Sequence, residues 1–164
     1  MTPGSPWGLL VPPMDEDAVS PLPGWMVMSY SKVVKYIDSK HFRVPHGSRA
    51  VELVAGLEVA LVQEVDTVPG SSCRLQFSIG DAGDRCEASP MRVQVATANK
   101  SKTAEYHSNG KGGYARDELK FTAEGNRTRV VFYSTGYHSM SDGTGTLCGP
   151  VIDDVSLVCV SQYR

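Results

Sequence analysis

Cys73-Arg74-Leu75-Gln76-Phe77-Ser78-Ile79 alternates without a break, with Cys73, Leu75, Phe77 and Ile79 on one side of an extended chain and Arg74, Gln76 and Ser78 on the other. Successive strand residues point to opposite faces, so this period of two predicts a strand with one buried and one solvated face. Upstream, residues 59–65 form another apolar run that stops at Pro69-Gly70, and residues 50–54 a third that stops at Gly56. Downstream, residues 91–96, 103–107, 114–123, 129–134 and 151–160 read as further strands. Asn109-Gly110, Gly112-Gly113 and Gly125-Asn126 lie between them and are turn chemistry, because these residues tolerate positive φ. Residues 51–65 also place Val51, Val54, Ala55, Leu61 and Val62 near helical spacing, but Gly56 and the β-branched content favour two strands. Many short strands at short intervals predict an all-β, antiparallel jelly-roll β-sandwich rather than an α/β fold.

The chain has 164 residues, 41% hydrophobic and 21% charged, which suits one globular domain with a sizeable core. Sixteen basic residues against eighteen acidic ones give a net charge of −2. That is no footprint for nucleic acid, which needs a basic stripe. No apolar run approaches the roughly 18 residues of a membrane-spanning helix. Six of the ten prolines, Pro3, Pro6, Pro12, Pro13, Pro21 and Pro23, cluster at the amino terminus around Asp15-Glu16-Asp17. Residues 1–20 are therefore expected to be an irregular lead and residues 21–164 the sandwich domain, folded from near Trp25. A secretory signal needs an early positive charge and a longer apolar stretch. The first basic residue is Lys32, and no such signal is readable in this chain.

The four cysteines test the topology. In many jelly rolls the strand in the place of residues 73–79 lies antiparallel beside the last strand, and opposed residues then share an index sum. Pairing Cys73 with Cys159 and Cys86 with Cys148 gives nearly the same sum, which favours this connectivity among the three available. Cys73 and Cys159 also read as buried thiols, since each alternates with a core leucine, Leu75 or Leu157. The 86–148 pair, which closes loops, is the stronger disulfide expectation. Bridges imply an oxidising compartment, and the sequons Asn99-Lys100-Ser101 and Asn126-Arg127-Thr128 would be glycan acceptors there.

Several stretches resemble the plant cell-wall family called domain of unknown function 642, also known as BIIDXI-like, in its second domain. They are Trp7-Gly8-Leu9-Leu10-Val11-Pro12-Pro13, Ser20-Pro21-Leu22-Pro23-Gly24-Trp25-Met26-Val27, Val34-Lys35-Tyr36-Ile37-Asp38-Ser39-Lys40-His41-Phe42, Phe77-Ser78-Ile79-Gly80-Asp81-Ala82 and Leu147-Cys148-Gly149-Pro150-Val151-Ile152-Asp153-Asp154-Val155. The resemblance implies a galactose-binding-like sandwich, secretion to the cell wall, association with wall polysaccharide or pectin-modifying enzymes, and no established catalysis. Cys86 and Cys148 match the family, whereas Cys73 stands where an aromatic residue is usual and Cys159 is outside its pattern. Extracellular localisation implied in this way conflicts with the absence of a readable export signal.

Asp153 and Asp154 tempt a catalytic reading, but neighbours in a regular strand point to opposite faces and cannot flank one glycosidic bond. The register inferred from the cysteines puts Asp81 opposite Ile152 and beside Asp153, so a calcium site there is conceivable; capping of loop amides by these aspartates is the simpler reading. No cofactor, zinc spacing, thiolate–histidine pair or phosphate loop is present. Sugar binding needs an aromatic face and polar groups. Tyr137 and His138, with Asp81, Asp84 and Arg85, form the first candidate rim, and Tyr36, Asp38, Lys40 and His41 a second cluster. Arg85, Lys35 or Lys40 suits the carboxylates of pectic uronates. Tyr30, Tyr106 and Tyr114 are further aromatic candidates, and Trp25 reads as a core plug. Two functions follow as expectations: a noncatalytic domain binding pectin or hemicellulose, or a protein-interaction module that engages an enzyme such as pectin methylesterase without touching sugar.

Overall fold

A computed structural model of the protein describes residues 9–11, 25–28, 34–38, 49–54, 59–83, 86, 90–97, 99–107, 112–136, 138–139 and 147–160. Its strands are β1 Leu9–Val11, β2 Met26–Met28, β3 Val34–Asp38, β4 Arg49–Glu52, β5 Ala60–Asp66, β6 Ser72–Gly80, β7 Met91–Ala96, β8 Ser101–Tyr106, β9 Tyr114–Thr122, β10 Arg127–Ser134, β11 His138–Ser139, β12 Leu147–Cys148 and β13 Val151–Val160. Among the described residues there is no helix, and the ambiguous stretch 51–65 contains parts of two strands. A six-stranded sheet, β1-β3-β4-β13-β6-β9, packs on a five-stranded one, β2-β5-β10-β7-β8, and β11 pairs with β12. Every pairing is antiparallel.

The alternation of β6 buries as expected: Cys73, Leu75, Phe77 and Ile79 are each 2% exposed or less. Facing them from β10 are Val130 and Phe132, and from β7 Val93 and Val95, all in one core cluster. Phe77 meets Phe132 edge to face, with ring centroids 5.3 Å apart and a 77° interplanar angle. That geometry sets the positive ring edge against the negative face and joins the two sheets at the centre of the core. Trp25 packs against Phe132 at 6.0 Å, the expected plug.

Turn chemistry closes one end of the sandwich. Pro69-Gly70 makes a tight turn in which Gly70 has φ 84° and the Ser71 amide donates to the Val68 carbonyl at 3.1 Å. Proline presets φ and glycine supplies the positive φ of a type II turn. The Thr67 amide donates to Asn126 O and the Asn99 amide group to Glu124 Oε1, gathering three turns at this end.

Three local readings change. Leu9–Val11, inside the Pro-rich lead expected to be irregular, pairs with β3 as an edge strand. Proline lacks the N–H that a ladder needs and is kept to edges and strand ends, which suits a three-residue edge strand followed in sequence by Pro12-Pro13. The β6–β13 ladder, taken as having one register, has two. Cys159 pairs with Cys73 and Leu157 with Leu75, but a shift between Asp153 and Ser156 then sets Ile152 opposite Ile79 and Asp153 opposite Ser78. A β-bulge inserts one residue, and Asp154 takes it up at φ 49°, a left-handed conformation that Asp tolerates better than most side chains. Both disulfides are present, Cys73–Cys159 and Cys86–Cys148. Cys148 belongs to β12, so the second bridge lies off the ladder from which it was inferred; it forms a small buried cluster with Met91.

Candidate functional site

The outer face of the six-stranded sheet is set out in rows by the pairing of β13, β6 and β9. Val160, Ser72 and Thr122 make the first row, then Val158, Arg74 and Lys120, then Ser156, Gln76 and Glu118, then Asp153, Ser78 and Arg116. These are the polar positions of the alternation that buries Leu75 and Phe77, so the same pattern that builds the core builds this face. Val158 and Val160 are 59% and 60% exposed and give β13 an apolar column beside the polar columns of β6 and β9. An open groove of about 440 Å³ runs between them, lined by Ser72, Arg74, Gln76, Lys120 and the two valines. Small-ligand sites commonly measure roughly 300–1,000 Å³.

Charge along the face is uneven. The Glu118 carboxylate lies 3.3 Å from Arg74 and 3.6 Å from Lys120, so in the groove one carboxylate is shared by two cations. Exposed pairs of this kind hold their partners weakly, which leaves both cations able to turn to a ligand oxygen. One row further on, Arg116 is held by β6 and β13: its Nη1 donates to Ser78 Oγ at 3.0 Å, Asp154 O at 3.1 Å and Asp154 Oδ2 at 2.9 Å. The bulge therefore brings the Asp154 carboxylate to the outer face, correcting the expectation that Asp153 and Asp154 point apart. Asp153 Oδ1 accepts the Asp154 amide at 2.7 Å. Each carboxylate has its own partner.

Beyond that row the face is covered. Glu52 is fully buried and its Oε2 accepts the Gly149 amide at 3.1 Å, while a Cβ at Gly149 would run into the Leu53 carbonyl. A charged residue inside the apolar run Ala50-Val51-Glu52-Leu53-Val54 is the signal in the sequence for Glu52. Asp81 is 1% exposed. Its Oδ1 accepts the Gly83 amide at 2.9 Å and its Oδ2 the Gly112 amide at 3.2 Å, while its own amide donates to Gly113 O. Tyr106 Oη donates to Gly112 O at 3.2 Å, and Gly113, at φ 104°, has no room for a Cβ against that hydroxyl. Asp81 thus clamps a glycine turn. The bulged register sets Asp153 against Ser78, three residues from Asp81 or about 10 Å along a strand, rather than beside Asp81 as the unbroken register had it. Among the described residues no group of three or more metal-binding side chains forms.

Of the other expected site residues, Tyr137, Arg85, Asp84, Lys40 and His41 lie outside the described residues, as does Tyr30. His138 pairs with Cys148 along the backbone, and Tyr36 and Asp38 lie on β3 opposite Val51 and Arg49. Tyr114 is 52% exposed at the end of β9. Asn99 and Asn126 are exposed at the closed-turn end.

The outer face of the five-stranded sheet is different in kind. Arg129 pairs with Glu64 at 2.8 Å and Arg92 with Glu105 at 2.8 Å, and Gln94 is bonded to Thr103. The hydrogen bond from Arg129, helped by the charge of Arg127, holds the Glu64 carboxyl below its usual range; Arg92, then His107, does the same for Glu105. Its charges are satisfied across strands, and the groove lies on the other face.

Two antiparallel sheets joined in this order define a galactose-binding-like jelly-roll sandwich, the architecture of carbohydrate-binding modules. It superposes on TmCBM61, solved in complex with β-1,4-galactotriose, with a TM-score of 0.55 at 16% identity, over 82% of this chain and 87% of that one. The CBM22-1 xylan-binding domain of Paenibacillus barcinonensis Xyn10C gives 0.56 at 9% identity, over 98% of this chain and 100% of that one. At such identities the likeness is one of fold. The chain belongs to the family described as protein of unknown function DUF642, whose profile matches residues 16–158. The Arabidopsis thaliana protein DUF642 L-galactono-1,4-lactone-responsive gene 1 is 51% identical over 162 residues, 99% of this chain and 43% of that protein. The chain therefore spans less than half the length of that relative.

Proposed function

We propose that this chain is a noncatalytic, extracellular module of the plant cell wall that binds wall polysaccharide, pectin or hemicellulose, in the groove beside Val158 and Val160. The groove carries the reading. A pyranose ring has an apolar C–H face and an equatorial rim of hydroxyls, and here an apolar column stands beside Arg74, Gln76 and Lys120. Arg74 and Lys120 also suit the carboxylate of a uronate. The ligands of the fold's relatives, galactotriose and xylan, lend support by analogy of fold. A noncatalytic role fits the side chains: all four cysteines are bridged, and Asp153 and Asp154 are separately engaged. The chain is expected to turn over no pectic ester or glycan.

Affinity electrophoresis on homogalacturonan, galactan and xylan tests this. Retardation on at least one polymer is expected, shallow and weak because a single open groove buries little area. On acidic polymers it should fade as salt rises. Retardation lost in Tyr137→Ala but kept in Lys120→Ala would move the site to the loop rim. No retardation on any polymer would end the proposal.

A second reading, engagement of a pectin-modifying enzyme such as pectin methylesterase, is favoured by one observation. Among the described residues, β13 beyond Ile152 pairs only with β6, leaving a main-chain edge beside two exposed valines. Such an edge accepts an added strand. Capture of the purified enzyme in the absence of polysaccharide would favour this reading.

A further inference from the structure

The two disulfides differ in how they meet solvent. Cys86 and Cys148 are 4% and 1% exposed and share a buried cluster with Met91. Cys73 is 2% exposed, but its partner Cys159 is exposed, one residue from the end of β13 and between two exposed valines. At Cys159, β13 has a strand on one side only among the described residues. The buried sulfur of the pair has a polar neighbour: Ser71 Oγ lies 3.7 Å from Cys73 Sγ, and in the bridged state it donates to the Val68 carbonyl at 2.6 Å. A hydroxyl proton rotates to whichever acceptor is the stronger.

We propose that Cys73–Cys159 is a thiol–disulfide exchange site that takes a small-molecule thiol such as a cysteine-containing tripeptide, with Cys159 as the sulfur attacked and Cys73 as the leaving group. The thiolate of the incoming molecule attacks Cys159 Sγ, a new S–S bond forms there, and the Cys73–Cys159 bond breaks with its electron pair passing to Cys73. The Ser71 hydroxyl swings from Val68 O to the new Cys73 thiolate, which otherwise lies in apolar surroundings that disfavour its charge. A proton from solvent then neutralises Cys73. A second thiol attacking the mixed disulfide at the incoming sulfur would release Cys159 and complete a two-electron reduction of the bridge. No sugar is involved, so the inference stands apart from glycan binding. The site also has a structural consequence. The bridge ties β6 to β13 directly beneath the rows of Ser72 and Arg74 that line the groove.

The test treats the native chain with glutathione, traps remaining thiols by alkylation and maps adducts by peptide mass spectrometry, with Cys86–Cys148 as internal control. Expected is a glutathione adduct on Cys159, an alkylated Cys73, and opening of this bridge at least about tenfold faster than the buried one, because access to the attacked sulfur governs exchange. An adduct on Cys73, equal opening of both bridges, or opening of neither before the chain unfolds would each overturn the proposal. Ser71→Ala should slow opening of Cys73–Cys159 by roughly tenfold, through loss of a hydrogen bond to a charged sulfur, with Cys86–Cys148 unaffected. An unchanged rate in a variant that is folded by circular dichroism would remove Ser71 from the step. The adduct position in the unaltered chain decides the main proposal whether or not that variant folds.

Discussion

Replacing Asp81 by alanine removes the acceptor of two backbone amides, Gly83 and Gly112, at a position 1% exposed. Hydrogen bonds to a charged acceptor contribute about 1.5–3 kcal/mol each, at the low end where, as here, the donor amides are only part-buried, so Asp81→Ala should lower stability by roughly 2–4 kcal/mol. Asp81→Asn keeps one acceptor oxygen and should cost less. Urea unfolding of the two variants checks the order, and a loss below about 0.5 kcal/mol for alanine would deny the clamp. Asp81 was legible as a polar residue just past an alternating strand and after a glycine, and capping was its simpler reading. The burial of Glu52 is not legible in the sequence, because alternation assigns a side to a residue without saying that the outer face is covered there. A pH effect belongs at this scale too. Glu64 and Glu105 have pKa values lowered from 4.5, so their pairs stabilise fully above that value and the contribution is lost as pH falls through the depressed folded values. Glu64→Gln should therefore melt below the parent at pH 7, with the gap closing below pH 4.5 and shrinking in high salt. A gap that widened on acidification would contradict the pairing with Arg129.

At the scale of elements, strands with clean alternation and flanking glycines were readable, and 91–96 and 151–160 were read to the residue. β1, β2, β11 and β12 have two or three residues each, too few for a period of two to stand out. The bulge was illegible for a different reason: a constant index sum presupposes an unbroken ladder, and the extra residue changes which groups share a face. Asp154 tests that feature. Alanine there loses the bond to Arg116 and must still hold φ 49°, where an ordinary L residue pays about 1–2 kcal/mol. Glycine loses the same bond without that strain, so Asp154→Gly should be more stable than Asp154→Ala by about 1 kcal/mol. Thermal or urea unfolding that ranked alanine first would mean the left-handed residue is not needed.

For the whole molecule, the sandwich followed from strand patterning and the family from long matching stretches, whereas the candidate site did not follow from either. Sequence alone points to loop residues such as Tyr137 and Arg85, because binding residues often sit on loops. The groove exists only once β13, β6 and β9 are in register, which sets Val158 beside Arg74 and Lys120 although 84 positions separate the valine from the arginine. Titration calorimetry of the groove variant Arg74→Ala, Lys120→Ala and of Gln94→Ala, on the opposite outer face, tests the site with a soluble polymer that retards the unaltered chain. The groove variant should bind at least about tenfold more weakly, the loss expected for hydrogen bonds from two charged donors, and Gln94→Ala should bind as the unaltered chain does. Equal affinity of the folded groove variant and the unaltered chain would contradict glycan binding at this face.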